Sequence, residues 1–465
     1  ASTFIGGTGT IEQAEGIACS SGCSFVYITG STNGTDYPTS GGAYDTSHNG
    51  DYDFIVSGFN GSLTTLVGST FVGNTSRDSG RAIDVGSDGS VYITGRSANP
   101  GMTATIGDAC SATSVDAWVG KFNSILSSLT ASRCLDGGGD DWPYDIVLDA
   151  SGNSYVTGYT SGTSFPVTAG AYDETFNGNG DAFITKISSD FSSIIASTLL
   201  GGVWGDYGQS IALDGSNNVY VTGYTRDGFP VTSTPYDATY NGTTDNDVFV
   251  SKISSDFSSL DASTYLGSSS EDRGIDILYD SANEYVYVTG YTDSSGFPTT
   301  GGAYDTSFGG VTDVFVSRFL DVPDNVAPTL SDLTITTSTD GSGDVGISVI
   351  ADDANDDDTL KIEVRATADV DCLVNPVSPV TISTTTVSST FGTPVVDNDN
   401  TYQVGTTTGW ILTSSGANTV TFDWLSGLFT DAPGADETYC IELVPHDGTA
   451  IGSTVTTTFT LDNQD

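Results

Sequence analysis

Methionine occurs once in 465 residues, histidine twice, and lysine and arginine together only 12 times. Each shortage excludes something. His48 lies in a Ser-His-Asn-Gly stretch and His446 in Pro-His-Asp-Gly. Both read as solvated turn residues, not as members of an acid–base pair. Twelve bases against 59 acids give a net charge of −47. That excludes nucleic acid and anionic membranes as partners, and it suits a salty or divalent-rich medium. Runs long and apolar enough to span a membrane are missing. No Gly-x-Ser-x-Gly elbow, His-Glu-x-x-His or phosphate-binding loop is present. Paired carboxylates are too plentiful to signal glycosidase chemistry. Lysine and glutamate are scarce, unlike the usual hyperthermophile bias. No basic and apolar leader opens the chain, so we expect an exported protein, extracellular or at the cell surface, with its signal removed.

Cys-x-x-Cys pairs are also missing, which disfavours zinc. Six cysteines then read as disulfides of an oxidising compartment. Locality pairs Cys19 with Cys23, Cys110 with Cys134, and Cys372 with Cys440.

What is abundant is Gly, Ser, Thr and short strand-like runs, an all-β composition. Of the acids, 51 are Asp and 8 are Glu, so the acidity belongs to loops. One pattern organises the chain. Val26-Tyr27-Ile28-Thr29-Gly30 recurs at Val91–Gly95, Tyr155–Gly158, Val219–Gly223 and Val286–Gly290, its threonines 65, 63, 65 and 67 residues apart. A fixed period of this kind decides the architecture. Each repeat carries four strand-like pieces joined largely by short turns. In the fourth they run Ser210–Asp214, Val219–Tyr224, Asp247–Ile253 and Leu260–Leu266. Short turns imply antiparallel pairing, and four-stranded repeats around a ring make a β-propeller.

Further residues carry a resemblance. Phe229-Pro230-Val231-Thr232, Tyr236-Asp237, Asp247-Val248-Phe249 and Ala262-Ser263-Thr264-Tyr265-Leu266-Gly267 are similar to the SBBP repeat of exported propeller proteins. Related runs stand at Tyr37-Pro38-Thr39, Phe165-Pro166-Val167-Thr168 and Phe297-Pro298-Thr299-Thr300. The resemblance covers about residues 1 to 320. It implies export and a propeller, and no catalytic residues. The family is named for seven blades, whereas five repeats are present here. Repeat two departs from the pattern: its long loop lacks the Phe-Pro and Tyr-Asp elements and holds Cys110.

The fifth repeat lacks a fourth strand, while Ala1–Gly6 matches fourth strands such as Gly68–Gly73 and Ala196–Gly201. The expectation is a five-bladed propeller of four-stranded blades over residues 1–322, with the N-terminal strand closing the ring. Donation of that strand to a neighbouring subunit is the rival. Past Asn325 the period vanishes. Thr- and Val-rich runs over 323–465 suggest an immunoglobulin-like or fibronectin-like β-sandwich.

The aspartates opening each third strand, Asp53, Asp116, Asp181, Asp247 and Asp313, should bind loop backbone. Calcium is the one cofactor the composition suggests, since it takes hard oxygen ligands. Its candidate ligands are Asp51 with Asp53, Asp245 with Asp247, and the run Asp352, Asp353, Asp356, Asp357 and Asp358; solvated acidic loops are the alternative. Trp142 and Trp204 either wedge adjacent blades or stack on surface glycans. Asn33, Asn60, Asn74 and Asn241 stand in glycosylation sequons. With no reactive constellation, the expected function is a non-enzymatic structural subunit that self-associates head to tail into a surface filament or adhesive stalk. The alternative is a secreted binding module or carbohydrate-active enzyme using the loop-rich face.

Overall fold

The computed structural model describes residues 1–320, apart from 9, 99–101, 103, 108, 109, 112, 233, 234 and 243, and the strands within 329–461. The chain divides into two compact units, Ala1–Asp321 and Val322–Asp465. The described residues are all-β, and no helix among them is long and apolar enough to cross a membrane.

The first unit holds five antiparallel sheets in which consecutive strands pair. The first has β1 (Glu12–Cys19), β2 (Phe25–Thr32), β3 (Asp53–Asn60) and β4 (Leu66–Val72). The second has β5 (Asp78–Val85), β6 (Val91–Ser97), β7 (Asp116–Phe122) and β8 (Leu129–Leu135). The third has β9 (Asp141–Leu148), β10 (Ser154–Thr160), β11 (Asp181–Ile187) and β12 (Ile194–Leu200). The fourth has β13 (Tyr207–Leu213), β14 (Val219–Thr225), β15 (Asp247–Ile253) and β16 (Leu260–Leu266). The fifth has only three, β17 (Asp272–Asp280), β18 (Tyr285–Thr292) and β19 (Asp313–Leu320).

Contacts explain the repeated motif. Its threonine donates to the third-strand carbonyl each time: Thr29 to Ile55, Thr94 to Trp118, Thr157 to Phe183, Thr222 to Phe249 and Thr289 to Phe315, at 2.8–3.0 Å. Its glycine faces the first strand, where a Cβ on Gly30, Gly158 or Gly223 would run into the carbonyl of Gln13, Trp142 or Tyr207. Its tyrosine lies opposite the third-strand lysine. Lys121, Lys186 and Lys252, three of the four lysines in the chain, sit over Tyr92, Tyr155 and Tyr220 at 4.9, 4.9 and 5.5 Å. The few cations are thus spent on aromatic faces.

Strand alternation makes each of the three middle sheets contribute to two inter-sheet cores and each end sheet to one. Tyr27, Phe54 and Val56 of the first sheet pack with Ile83, Ile93 and Trp118 of the second. Val119 of the second packs with Ile146 and Phe183 of the third. Ile184 of the third packs with Ile211 and Phe249 of the fourth. Val248 and Val250 of the fourth pack with Ile277, Val288 and Phe315 of the fifth.

The expected closing strand is not formed. Residues 1–6 are in no strand, and β19 is the free edge of its sheet. Ile5 packs instead beside Tyr37, Ile55 and Phe71 of the first sheet, and Phe4 is fully exposed. First strands adjoin in the series β1, β5, β9, β13, β17, and no comparable packing joins β17 to β1 among the described residues. Sequence similarity to a fourth strand identifies what Ala1–Gly6 can pair with, but chain geometry decides whether it reaches it.

In the second unit, strand 329–337 pairs 344–352, which pairs 418–425. A separate antiparallel sheet joins 359–367, 437–446 and 455–461.

Candidate functional site

The structure brings aspartates from successive repeats together at each junction between sheets. Asp53, Asp116, Asp181 and Asp247 open third strands; Asp78, Asp141 and Asp272 open the first strands of the following sheets, and Asp206 stands directly before β13. All eight are buried. As expected, each third-strand aspartate takes a loop N–H: Asn49 donates to Asp53 at 2.7 Å, Asn177 to Asp181 at 2.9 Å and Asn241 to Asp247 at 2.8 Å, and Ser111 donates to Asp116. The first-strand set does the same four residues back, Gly137 to Asp141 at 2.6 Å and Gly202 to Asp206 at 2.7 Å. The second oxygens are a different matter. Oδ1 of Asp53, Asp141, Asp181, Asp247 and Asp272 is buried with no hydrogen-bond partner.

Two buried carboxylates held together favour protonation of one of them, or a cation. Burial, with the neighbouring aspartate adding to it, pushes Asp78 up to about 6 and Asp141, Asp206 and Asp247 up to about 7. Asp116 and Asp181 are raised to about 6 by burial.

The carboxylate acting on Asp247 most strongly is Asp272, not Asp245, and Asp53 acts on Asp78. Asp51 is exposed and lies in the loop before β3. Asp352 ends the strand 344–352, while Asp353, Asp356, Asp357 and Asp358 lie outside the described residues. Cys19–Cys23 and Cys110–Cys134 are bonded. Cys440 lies in strand 437–446 and Cys372 lies outside the described residues. Of the sequon asparagines, Asn33 accepts from Ile11 N at 2.9 Å, and Asn74 accepts from Ser76 N at 3.0 Å. Asn60 Nδ2 donates to Thr64 at 2.9 Å, and Asn241 Nδ2 donates to both Asp237 at 2.8 Å and the Thr239 carbonyl at 3.1 Å, of which a glycan on Asn241 would leave at most one.

The tryptophans separate. Trp204 is exposed, whereas Trp142 is half-buried within β9. Trp142 begins a stack that sequence reading missed. Arg96 lies 5.9 Å over its ring, and Tyr159 follows at 6.2 Å. Tyr207 stacks on Tyr159 at 4.4 Å, Tyr224 on Tyr207 at 4.6 Å, and Arg273 caps Tyr224 at 4.2 Å. The ring faces are mostly spent on one another.

The fifth sheet offers the other notable surface. A groove of about 790 Å³ runs along β19, lined by Tyr236, Phe297, Tyr304, Val314, Phe315 and Phe319 among others. Val314 and Val316 are 79% and 73% exposed, although their equivalents Val248 and Val250 are buried.

No curated protein matches this chain. Among solved structures it is similar to Kuenenia stuttgartiensis hydrazine synthase, with TM-score 0.36 and 13% identity over 76% of this chain and 80% of that one. It is also similar to Chaetomium thermophilum Sqt1, with TM-score 0.25 and 11% identity over 60% and 80%. A Synechocystis ACO mutant gives TM-score 0.28 and 10% identity over 68% and 71%. The family model that matches is that of the SBBP beta-propeller repeat, over residues 136–166 and 197–230.

Proposed function

We propose that this chain is a non-enzymatic, extracellular structural subunit that assembles head to tail into a surface filament or adhesive stalk. In this reading the five sheets are propeller blades, the second unit is an immunoglobulin-like sandwich, and residues 1–6 of one copy complete the fifth blade of the next. The uncovered β19 carries the reading. In three of the four complete sheets, the first, third and fourth, the fourth strand supplies a buried residue at one register position: Phe71, Leu199 and Tyr265. Each follows a Ser-Thr pair, and so does Phe4 after Ser2-Thr3. The fourth-strand serines bond across to the third strand, Ser69 to Ser57 at 2.8 Å, Ser197 to Thr185 at 2.9 Å and Ser263 to Ser251 at 2.9 Å. Ser317 holds that third-strand position in β19 and Ser2 is its counterpart. Phe297 already stacks on Phe315 at 4.6 Å, as Phe165 does on Phe183 at 4.5 Å, on the face that a fourth strand covers.

The opposite end offers the matching surface. Ile17 of β1 is 71% exposed, while its equivalents Ile83, Ile146, Ile211 and Ile277 are buried between sheets. Strand addition supplies backbone bonds, and the Ile17 face covers Val314 and Val316. A heterologous contact that does not close builds a filament. Net charge is about −27 before Val322 and −20 after it, so the contact relies on apolar area and backbone pairing, not opposite charge. Negative-stain microscopy of the protein from its source tests the reading. Ordered polymers are expected, and dispersed monomers would refute it.

The aromatic stack from Trp142 to Tyr224 favours a second reading, a secreted glycan-binding module or carbohydrate-active enzyme. Sugars stack on free ring faces, and most of these faces are occupied. A saccharide bound at Trp142 or the exposed Trp204 would support it.

A further inference from the structure

We propose that Asp116, Asp136 and Asp141 bind one divalent cation of the calcium class at the junction of the second and third sheets. The site does not depend on the assembly proposed above. Carboxylate oxygens of the three residues lie within 4.8 Å of one another. Asp116 and Asp141 are the buried junction pair common to the repeats. Asp136 is particular to this junction. Five residues before the first-strand aspartate, the other junctions carry Gly73, Gly201 and Gly267.

Those glycines show what a side chain at this place meets. A Cβ on Gly201 would lie 2.7 Å from Asp206 Oδ2 and 2.8 Å from Asp181 Oδ1. On Gly267 it would lie 2.8 Å from Asp247 Oδ1 and 2.9 Å from Asp272 Oδ2. Asp136 therefore sets a third carboxylate against two buried ones. Three such groups repel unless one holds a proton or a cation lies among them.

A second observation is independent of the cluster. Asp141 Oδ1 is fully buried and has no hydrogen-bond partner, although Oδ2 accepts the Gly137 N–H at 2.6 Å. A Cβ on Gly137 would lie 3.0 Å from that Oδ1, which places the unpartnered oxygen beside the Asp136–Gly137 link. Unpaired buried oxygens of this kind are costly; other junctions carry one too, and among the described residues it is here that a third carboxylate stands with it to form a ligand set.

The surroundings fit. Cys110–Cys134 ties the loop carrying Ser111, whose N–H binds Asp116, to β8, which leads directly into Asp136. Repeat two thus departs from the pattern twice, in its disulfide and in Asp136, and both departures meet at this site. Gly137-Gly138-Gly139 supplies a pliable carbonyl-rich turn, with Asp136 accepting the Gly138 N–H at 2.7 Å. Calcium accepts irregular sets of six to eight oxygens, whereas magnesium demands near-octahedral geometry, so the site favours calcium.

The test is calorimetric titration of the chelator-treated full chain with calcium, paired with thermal unfolding in calcium and in chelator. Asp136→Gly restores the residue found at the other junctions and so preserves the fold; Asp141→Asn is the second variant. The native chain should bind calcium and unfold several degrees higher in its presence. Both variants should bind one equivalent fewer and lose that part of the shift. The run from Asp352 to Asp358 is intact in all three proteins, so any calcium it takes cancels in the difference. A native chain that binds no calcium overturns the proposal, as does an Asp136→Gly chain with undiminished stoichiometry.

Discussion

Val248 and Val314 occupy the same place on successive third strands, and only the first is buried. The same holds for Ile83 and Ile17 on first strands. The repeat therefore encodes an interface more than a sheet: every sheet carries half of the contact to its predecessor and half of the contact to its successor. Four of these contacts are made inside the chain. The first and fifth sheets are left with one unmatched half each, the halves that the proposed assembly brings together.

The sharpest way to test this contrast is to place the same substitution on both sides of it. Val250→Asp buries an unpaired charge and should cost about 4 kcal/mol or more, lowering Tm on the order of 10 °C. Val316→Asp should leave the Tm of the monomer nearly unchanged and suppress assembly, as read by light scattering. Equal thermal losses would mean that the fifth sheet is covered within the chain.

A pH series compares the buried junctions with the exposed turns. Burial pushes Asp145 up to about 6, despite bonds from Ser210 and Ile211, and Asp206 up to about 7. These groups hold a proton more tightly folded than unfolded. In chelator, stability is therefore full below about pH 4 and falls as pH rises through about 6 to 7. Asp190 in an exposed turn is lowered to about 2, so its contribution has the opposite sign and is lost only on acidifying below about pH 4. Unfolding followed across this range should show Tm declining from pH 4 to 7, and a rising curve would contradict the burial argument. Calcium should lessen the decline.

The smallest effect concerns the motif threonine. Thr222→Val removes a buried bond to the Phe249 carbonyl and should cost about 1 kcal/mol, while Thr289→Val, at the half-covered fifth sheet, should cost less. Urea midpoints of the two variants resolve the difference.

The strand order was legible because Thr and Gly of the motif each answer a backbone demand met five times, and Tyr a cross-strand one met three times. Locality also sufficed for Cys19–Cys23 and Cys110–Cys134. The junction carboxylates were not legible as pairs, since Asp53 and Asp78 lie 25 residues apart on different sheets, and sequence reading turns first to near neighbours such as Asp51. One signal was available: aligning the repeats sets Asp136 against Gly73, Gly201 and Gly267. The destination of Ala1–Gly6 was beyond the sequence for another reason. A fourth-strand pattern specifies the edge it fits, and the same edge exists on every copy of the chain.

Deleting residues 1–6 tests the central claim most directly. Size-exclusion chromatography with light scattering reads assembly, and calorimetry reads the fold of the monomer. The account predicts that assembly is lost while the monomer stays folded, its Tm lowered by no more than an Ile5→Ala substitution lowers it, since Ile5 is the residue of this segment that packs on the first sheet. A monomer that the deletion destabilises well beyond Ile5→Ala, or a deleted chain that still polymerises, would contradict it.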